Sequence, residues 1–240
     1  MFTSSSKPIL FLLACICIPI LLSAQSRIRG FGGHIAVGVS VINNDALNQE
    51  LKANAYPEVN STYFALGLGL NGYRNRLTYG TDIYGYMLKK LVGNNQMTII
   101  QHYYAIPNLG YLAYTRDDKL FLFPSVGLGM GGVSVKLKPV GTSISINRFG
   151  FGGVLDGAVN LRMYSPIQGD SDNKIEWGVK VGYMYALGSK SWDVSVTSAE
   201  NVPSKLQGFY FRFIFGMGQV RSKKKKPDNN DGNQPPAPGM

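Results

Sequence analysis

The chain has 240 residues, 45% of them hydrophobic and only 16% charged, with 29 glycines, 14 tyrosines and a formal net charge of +10. A soluble core of this length would usually show amphipathic helices, whereas this composition points to strands, tight backbone contacts and interfacial aromatics. The charge does not describe a nucleic-acid-binding face, because Arg221 and Lys223 to Lys226 form one basic run behind the last strand.

Residues 1 to 24 read as a secretory signal peptide. Lys7 precedes an apolar run from Ile9 to Leu22 that ends in Ser23-Ala24-Gln25, too short and too early to be a comfortable membrane span. Leu12-Leu13-Ala14-Cys15 also looks like a lipoprotein box, but cleavage there would leave Ile16 to Leu22 as a greasy N-terminus. Cys15 and Cys17 leave with the signal, which excludes disulfides, cysteine catalysis and cysteine-ligated metals from the mature chain.

Residues 25 to 220 break into eight stretches of apolar and polar alternation, near 28 to 41, 61 to 73, 77 to 89, 97 to 114, 120 to 137, 150 to 164, 175 to 188 and 207 to 219. In the last, Phe209, Phe211, Phe213 and Phe215 share one face while Tyr210, Arg212 and Ile214 share the other. A strand with one greasy side and one polar side is how a transmembrane barrel strand reads. The predicted fold is therefore all-β, an antiparallel up-and-down transmembrane barrel of eight strands. Short connections at 74 to 76, 116 to 119 and 165 to 174 alternate with long ones at 42 to 60, 90 to 96, 138 to 149 and 189 to 206. Short turns face the periplasm in outer-membrane barrels, so both mature termini are expected there.

Lipid-facing sets follow from the period of two: Phe64, Leu66, Leu68 and Leu70; Leu122, Val126, Leu128 and Met130; Phe151, Leu155, Val159 and Leu161; Trp177, Val179, Val181, Tyr183 and Tyr185. Two aromatic girdles are expected at the strand ends, Tyr73, Tyr79, Tyr114, Phe121, Tyr164 and Trp177 by the short turns and Tyr63, Tyr84, Tyr86 and Tyr185 by the long loops. Pro107 interrupts the fourth strand, where a β-bulge is the expected repair, leaving the facing of Gln101 and His102 open.

The inward faces carry Asp82, Asp156 and Glu176 together with Arg162, Lys180 and Arg212. Charges in so narrow a space are costly unless paired, so a plug of salt bridges is expected, with Arg212 holding a carboxylate; a catalytic or proton-conducting constellation is the alternative. Reading the sixth and seventh strands symmetrically about their turn puts Arg162 almost opposite Glu176 and Asp156 one diagonal from Lys180. His34 also falls inward. Gly67-x-Gly69-x-x-Gly72 and Gly127-x-Gly129-x-x-Gly132 match a dinucleotide fingerprint, but no helix follows either to hold a pyrophosphate, so they read as lumen glycines. No cofactor or metal is expected.

In the first long loop, Asp45 to Asn54 has Leu47 and Leu51 spaced for one or two helical turns, and Tyr56 and Trp192 are the candidate loop contacts. Residues 221 to 240 read as a disordered basic and polar tail.

The signal ending, the Gly-rich strand GLGLNGY (67 to 73) and Gly208-x-x-Phe211-x-Phe213 carry a resemblance to the small eight-stranded outer-membrane barrels, the OmpX-like and OmpA-barrel-like group, and particularly the PorT-like barrels of Bacteroidota. It implies insertion by the barrel-assembly machinery, which reads a C-terminal signal similar to Gly208, Phe211 and Phe213. In that family the aromatic lies at or near the chain end, whereas here some twenty residues follow. It also implies contact with outer-membrane lipids and envelope protein partners. The expected function is non-enzymatic, stabilising the membrane or presenting loops. A subunit of a secretion or assembly complex is the alternative. A lipid A-modifying enzyme ranks behind both, since neither His34 nor His102 has an outer-rim serine and carboxylate.

Overall fold

The computed structural model describes residues 27–116, 119–167, 170–187 and 206–223. The predicted signal peptide (1 to 24), Trp192 and the predicted tail beyond Lys223 lie outside them. Among the described residues, ten strands and one helix follow in order: β1 (Arg27–Ile42), α1 (Asp45–Ala53), β2 (Thr62–Arg74), β3 (Leu77–Tyr86), β4 (Lys89–Gly93), β5 (Gln96–Tyr111), β6 (Tyr114–Arg116), β7 (Leu120–Pro139), β8 (Ile146–Ile167), β9 (Asp170–Ala186) and β10 (Gly208–Lys223).

All pairings are antiparallel, and the ring β1-β2-β3-β5-β7-β8-β9-β10 closes where β10 meets β1. The short β4 continues β3 along β5, and β6 continues β5 along β7, so the wall has eight strands as expected. Closure matters because lipid offers backbone amides no partner; a sheet can cross a membrane only without free edges. The period of two then sorts the side chains. On β2, Leu68 is 63% exposed, while Tyr63 on the opposite face is fully buried.

Three expectations about the wall are corrected. The connection predicted at 90 to 96 is a tight hairpin, with β4 and β5 joined through Asn94 and Asn95 at φ 50° and 57°, the left-handed pair that a two-residue turn requires. The loop predicted at 138 to 149 is largely strand: β7 runs to Pro139 and β8 starts at Ile146. At 22 residues β8 is about twice the length needed to cross a bilayer, so the wall projects beyond it. Pro107 makes no bulge. The pairs Ala105↔Met130 and Asn108↔Gly127 keep one register across β5 and β7, only the ladder between them is broken, and β3 still pairs Thr81 with Pro107. Gln101 consequently faces outward and His102 inward.

The predicted girdles are also only partly formed. Tyr79, Tyr114, Trp177 and Tyr185 are exposed on the outer face, but Tyr63, Tyr73, Tyr84, Tyr86, Phe121 and Tyr164 are buried in the lumen. Parity overrides position: Tyr84 and Tyr86 alternate in step with Asp82, and Tyr164 with Arg162.

Helix α1 closes the long-loop mouth. Leu47 and Leu51 are buried in one apolar cluster with Ile42, Val59, Tyr63 and Leu206, as their spacing predicts. Asn48 clasps Val59 by two hydrogen bonds, donating to its carbonyl at 2.9 Å and accepting from its N–H at 2.8 Å. Asn44 donates to the Tyr63 hydroxyl at 2.9 Å, and Arg148 of β8 pairs with Glu50. Tyr56 is half-buried against the same cluster.

Candidate functional site: the barrel lumen

Small inward residues make room for large ones. A side chain at Gly69 would meet the His34 ring and the Asp82 carboxylate, one at Gly67 the Tyr84 ring, one at Gly178 the Arg162 side chain and one at Gly182 the Tyr210 hydroxyl. The Gly-rich strands are thus the seats of the polar plug, and the fingerprint glycines Gly67 and Gly69 have that role, whereas Gly72 and Gly132 face outward against the Tyr79 and Tyr103 rings.

The six predicted charged residues are all buried inside the lumen. By the short-turn rim, Arg162 pairs with Glu176. One level higher, the Lys180 ammonium donates to Asp82 Oδ2 at 2.9 Å and to Asp156 Oδ2 at 3.0 Å. Asp156 Oδ1 accepts from the Tyr210 hydroxyl at 2.7 Å, and Asp82 Oδ1 lies 3.2 Å from His34 Nε2. The other His34 nitrogen is 3.2 Å from Asn71 Oδ1; Asn71 donates to Tyr73 at 2.9 Å, and the Tyr73 and Tyr164 hydroxyls are 2.7 Å apart. One chain of polar contacts therefore runs from Tyr164 near one rim to Tyr210 in the other half, hydrogen-bonded at the links through Tyr73, Asn71, Lys180 and Asp156 and joined at its middle by the His34–Asp82 ion-pair contact.

The register differs from the symmetric reading by two residues. Gly178, not Glu176, stands opposite Arg162, and Asn160 stands opposite Lys180. The ion pairs form nonetheless, because these side chains are long enough to reach diagonally across neighbouring strands.

Arg212 is the correction within the set. It meets no carboxylate among the described residues. Its guanidinium donates to the Val39 carbonyl at 2.6 Å and to Ser40 Oγ at 2.7 Å, and its carbon lies 4.7 Å from the Tyr210 ring centre, 5.1 Å from Tyr84 and 5.8 Å from Tyr86. Tyrosine faces and backbone carry this cation in place of an acid. The tyrosine cage goes beyond the sequence expectation; its signal is the inward parity of Tyr84, Tyr86 and Tyr210, which for the first two outweighs their closeness to the strand ends.

His102 is fully buried, edge-on to Tyr63 and Tyr86 at 4.8 and 5.9 Å between ring centres. Both histidines are buried within the lumen. The internal cavity beside His34, Asn71, Asp82, Asn108 and Arg162 has a volume of about 10 Å³, the limit for a single water. Of the C-terminal signal residues, Phe213 is exposed and Phe211 half-buried on the outer face, while Gly208 pairs with Ile42 at the far end of β10.

A closed ring of eight strands with an apolar outer face and a packed polar interior defines a small transmembrane β-barrel of the outer-membrane type. The fold expected from the resemblance is the fold observed. In structure the chain is similar to Neisserial surface protein A, with a TM-score of 0.48 and 10% identity over 79% of this chain and 96% of that one. It is similar also to Ail, the attachment invasion locus protein of Yersinia pestis, with a TM-score of 0.41 and 11% identity over 82% of this chain and 100% of that one. No protein-family model matches the chain, and no curated protein matches it in sequence.

Proposed function

We propose that the chain is a non-enzymatic bacterial outer-membrane protein, oriented with its short turns and both mature termini in the periplasm, that works through its outer surface and long loops rather than through its lumen. The lumen carries this reading: paired charges, a tyrosine cage and the α1 cap fill it, with a void of about 10 Å³ beside His34. Among the described residues this filling leaves a solute no evident path, and both histidines are buried inside it. Loop residues around Tyr56 and Trp192 are the expected contacts for envelope partners, and Gly208, Phe211 and Phe213 the elements read by the assembly machinery during insertion.

The resemblance of GLGLNGY (67 to 73) and the β10 motif to PorT-like barrels supports a second reading, a subunit of a secretion or assembly complex. Two measurements test the pair. In whole cells a membrane-impermeant thiol reagent is expected to label a cysteine at Lys52 and to spare one at Asn75; the reverse pattern overturns the orientation. Purification from outer membranes is expected to yield the barrel alone, and a stoichiometric protein partner decides for the complex subunit.

A further inference from the structure

The geometry points to a phospholipid-binding site on the outer wall at the short-turn rim, where Arg29 and Arg74 hold the phosphate and an adjoining apolar cleft holds an acyl chain. Naming the leaflet as the periplasmic one rests on the orientation proposed above; the site itself does not.

Arg29 and Arg74 are direct cross-strand partners on β1 and β2, both exposed on the outer face, and Arg221 stands opposite Arg29 on β10. Like charges directly opposite in a sheet repel. Neither Arg29 nor Arg74 meets a carboxylate among the described residues. With Gly30, Tyr73 and Tyr79, these two arginines line a pocket of about 280 Å³. An anion between the guanidiniums turns the repulsion into two charge-assisted contacts, and phosphate is the group their fork geometry fits best.

Tyr79 joins that pocket to a second one. On its other side lies a cleft of about 590 Å³ whose outer walls are Phe31, Leu70, Leu109, Val126 and Leu128. The volume is that of a small-ligand site and the lining is apolar apart from Tyr79, Thr81 and the asparagines at its floor. The cleft exists because the wall dips there: Gly72, opposite both Phe31 and Tyr79, presents no side chain, and the Tyr79 ring lies against it. A cationic pocket at the membrane edge that opens through one tyrosine into an apolar cleft running toward the bilayer centre has the polarity of a phospholipid.

The test uses purified, refolded full-length chain in detergent, titrated with palmitoyl-oleoyl phosphatidylglycerol and read by native mass spectrometry, so neither orientation nor partners enter. One lipid per barrel is expected to be retained. Arg29→Gln with Arg74→Gln should weaken retention about tenfold, the loss of one good charge-assisted contact or more. Lys136→Gln with Lys138→Gln, which removes equal charge at the opposite end of the wall, should leave it unchanged. Val126→Trp, filling the cleft, should also weaken it, and glycerol phosphate at the same concentrations should not be retained. Heat-modifiable mobility on gels confirms that each variant is folded. Equal retention by the arginine variant, equal loss in the lysine variant, or equal retention of glycerol phosphate overturns the site.

Discussion

Lys180 on β9 and Asp82 on β3 meet at 2.9 Å across the full width of the barrel, since the two strands stand diametrically opposite in the ring. Tyr73 on β2 and Tyr164 on β8 make a second diametric contact nearer the short turns, and Tyr86 donates to Met184 Sδ at 3.8 Å in a third nearer the long loops. The lumen is therefore cross-braced at three levels, and the middle brace is ionic.

Removing that brace strands two carboxylates. Lys180→Met should lower stability by about 3–5 kcal/mol, as breaking a buried pair does, while further change of Asp82 and Asp156 to Asn should recover most of it. Urea unfolding in lipid vesicles followed by Trp fluorescence reads both. Additive losses in the triple variant would show that the three groups are not one cluster.

Arg212 should behave differently, because it strands no acid. Arg212→Met is expected to cost about 2 kcal/mol, the scale of a desolvated cation–π contact with its hydrogen bonds, and clearly less than Lys180→Met. The same unfolding assay compares them; an equal or larger loss at Arg212 would mean that an acid partner does reach it.

Two glycines on β2 and β3 separate lumen crowding from backbone preference. Gly69→Ala presses on the His34 ring and the Asp82 carboxylate and should destabilise by about 1–3 kcal/mol, whereas Gly85→Ala meets nothing within 4 Å and should stay within about 0.5 kcal/mol of the wild type. Equal effects would place the two glycines in equivalent environments.

Reconstituted in planar bilayers, the protein should show no steady conductance, since eight strands enclose only enough room for their own side chains. Leu47→Ser with Leu51→Ser should loosen α1, seen as faster proteolysis at Lys52, and still leave the bilayer silent because the ionic level lies beneath the cap. A sustained current from the wild type would contradict the packed lumen; one from the variant alone would make α1 the sole seal.

Strand number, facing and the six buried charges were legible in the residues alone because a strand alternates with a period of two, and lipid on one side makes each slip in that alternation costly. The α1 turns showed in the spacing of Leu47 and Leu51 for the same kind of reason. What the sequence could not decide was anything set by distance across the ring. Whether Arg212 meets an acid or three tyrosines and whether Lys180 serves one carboxylate or two depend on which strands closure brings face to face. Pro107 teaches the same lesson along the wall: a missing N–H reads locally as a bulge, yet β3 on one side and the unbroken register with β7 on the other hold the strand straight. Periodicity is written residue by residue, whereas opposition across a lumen exists only once β10 has closed on β1.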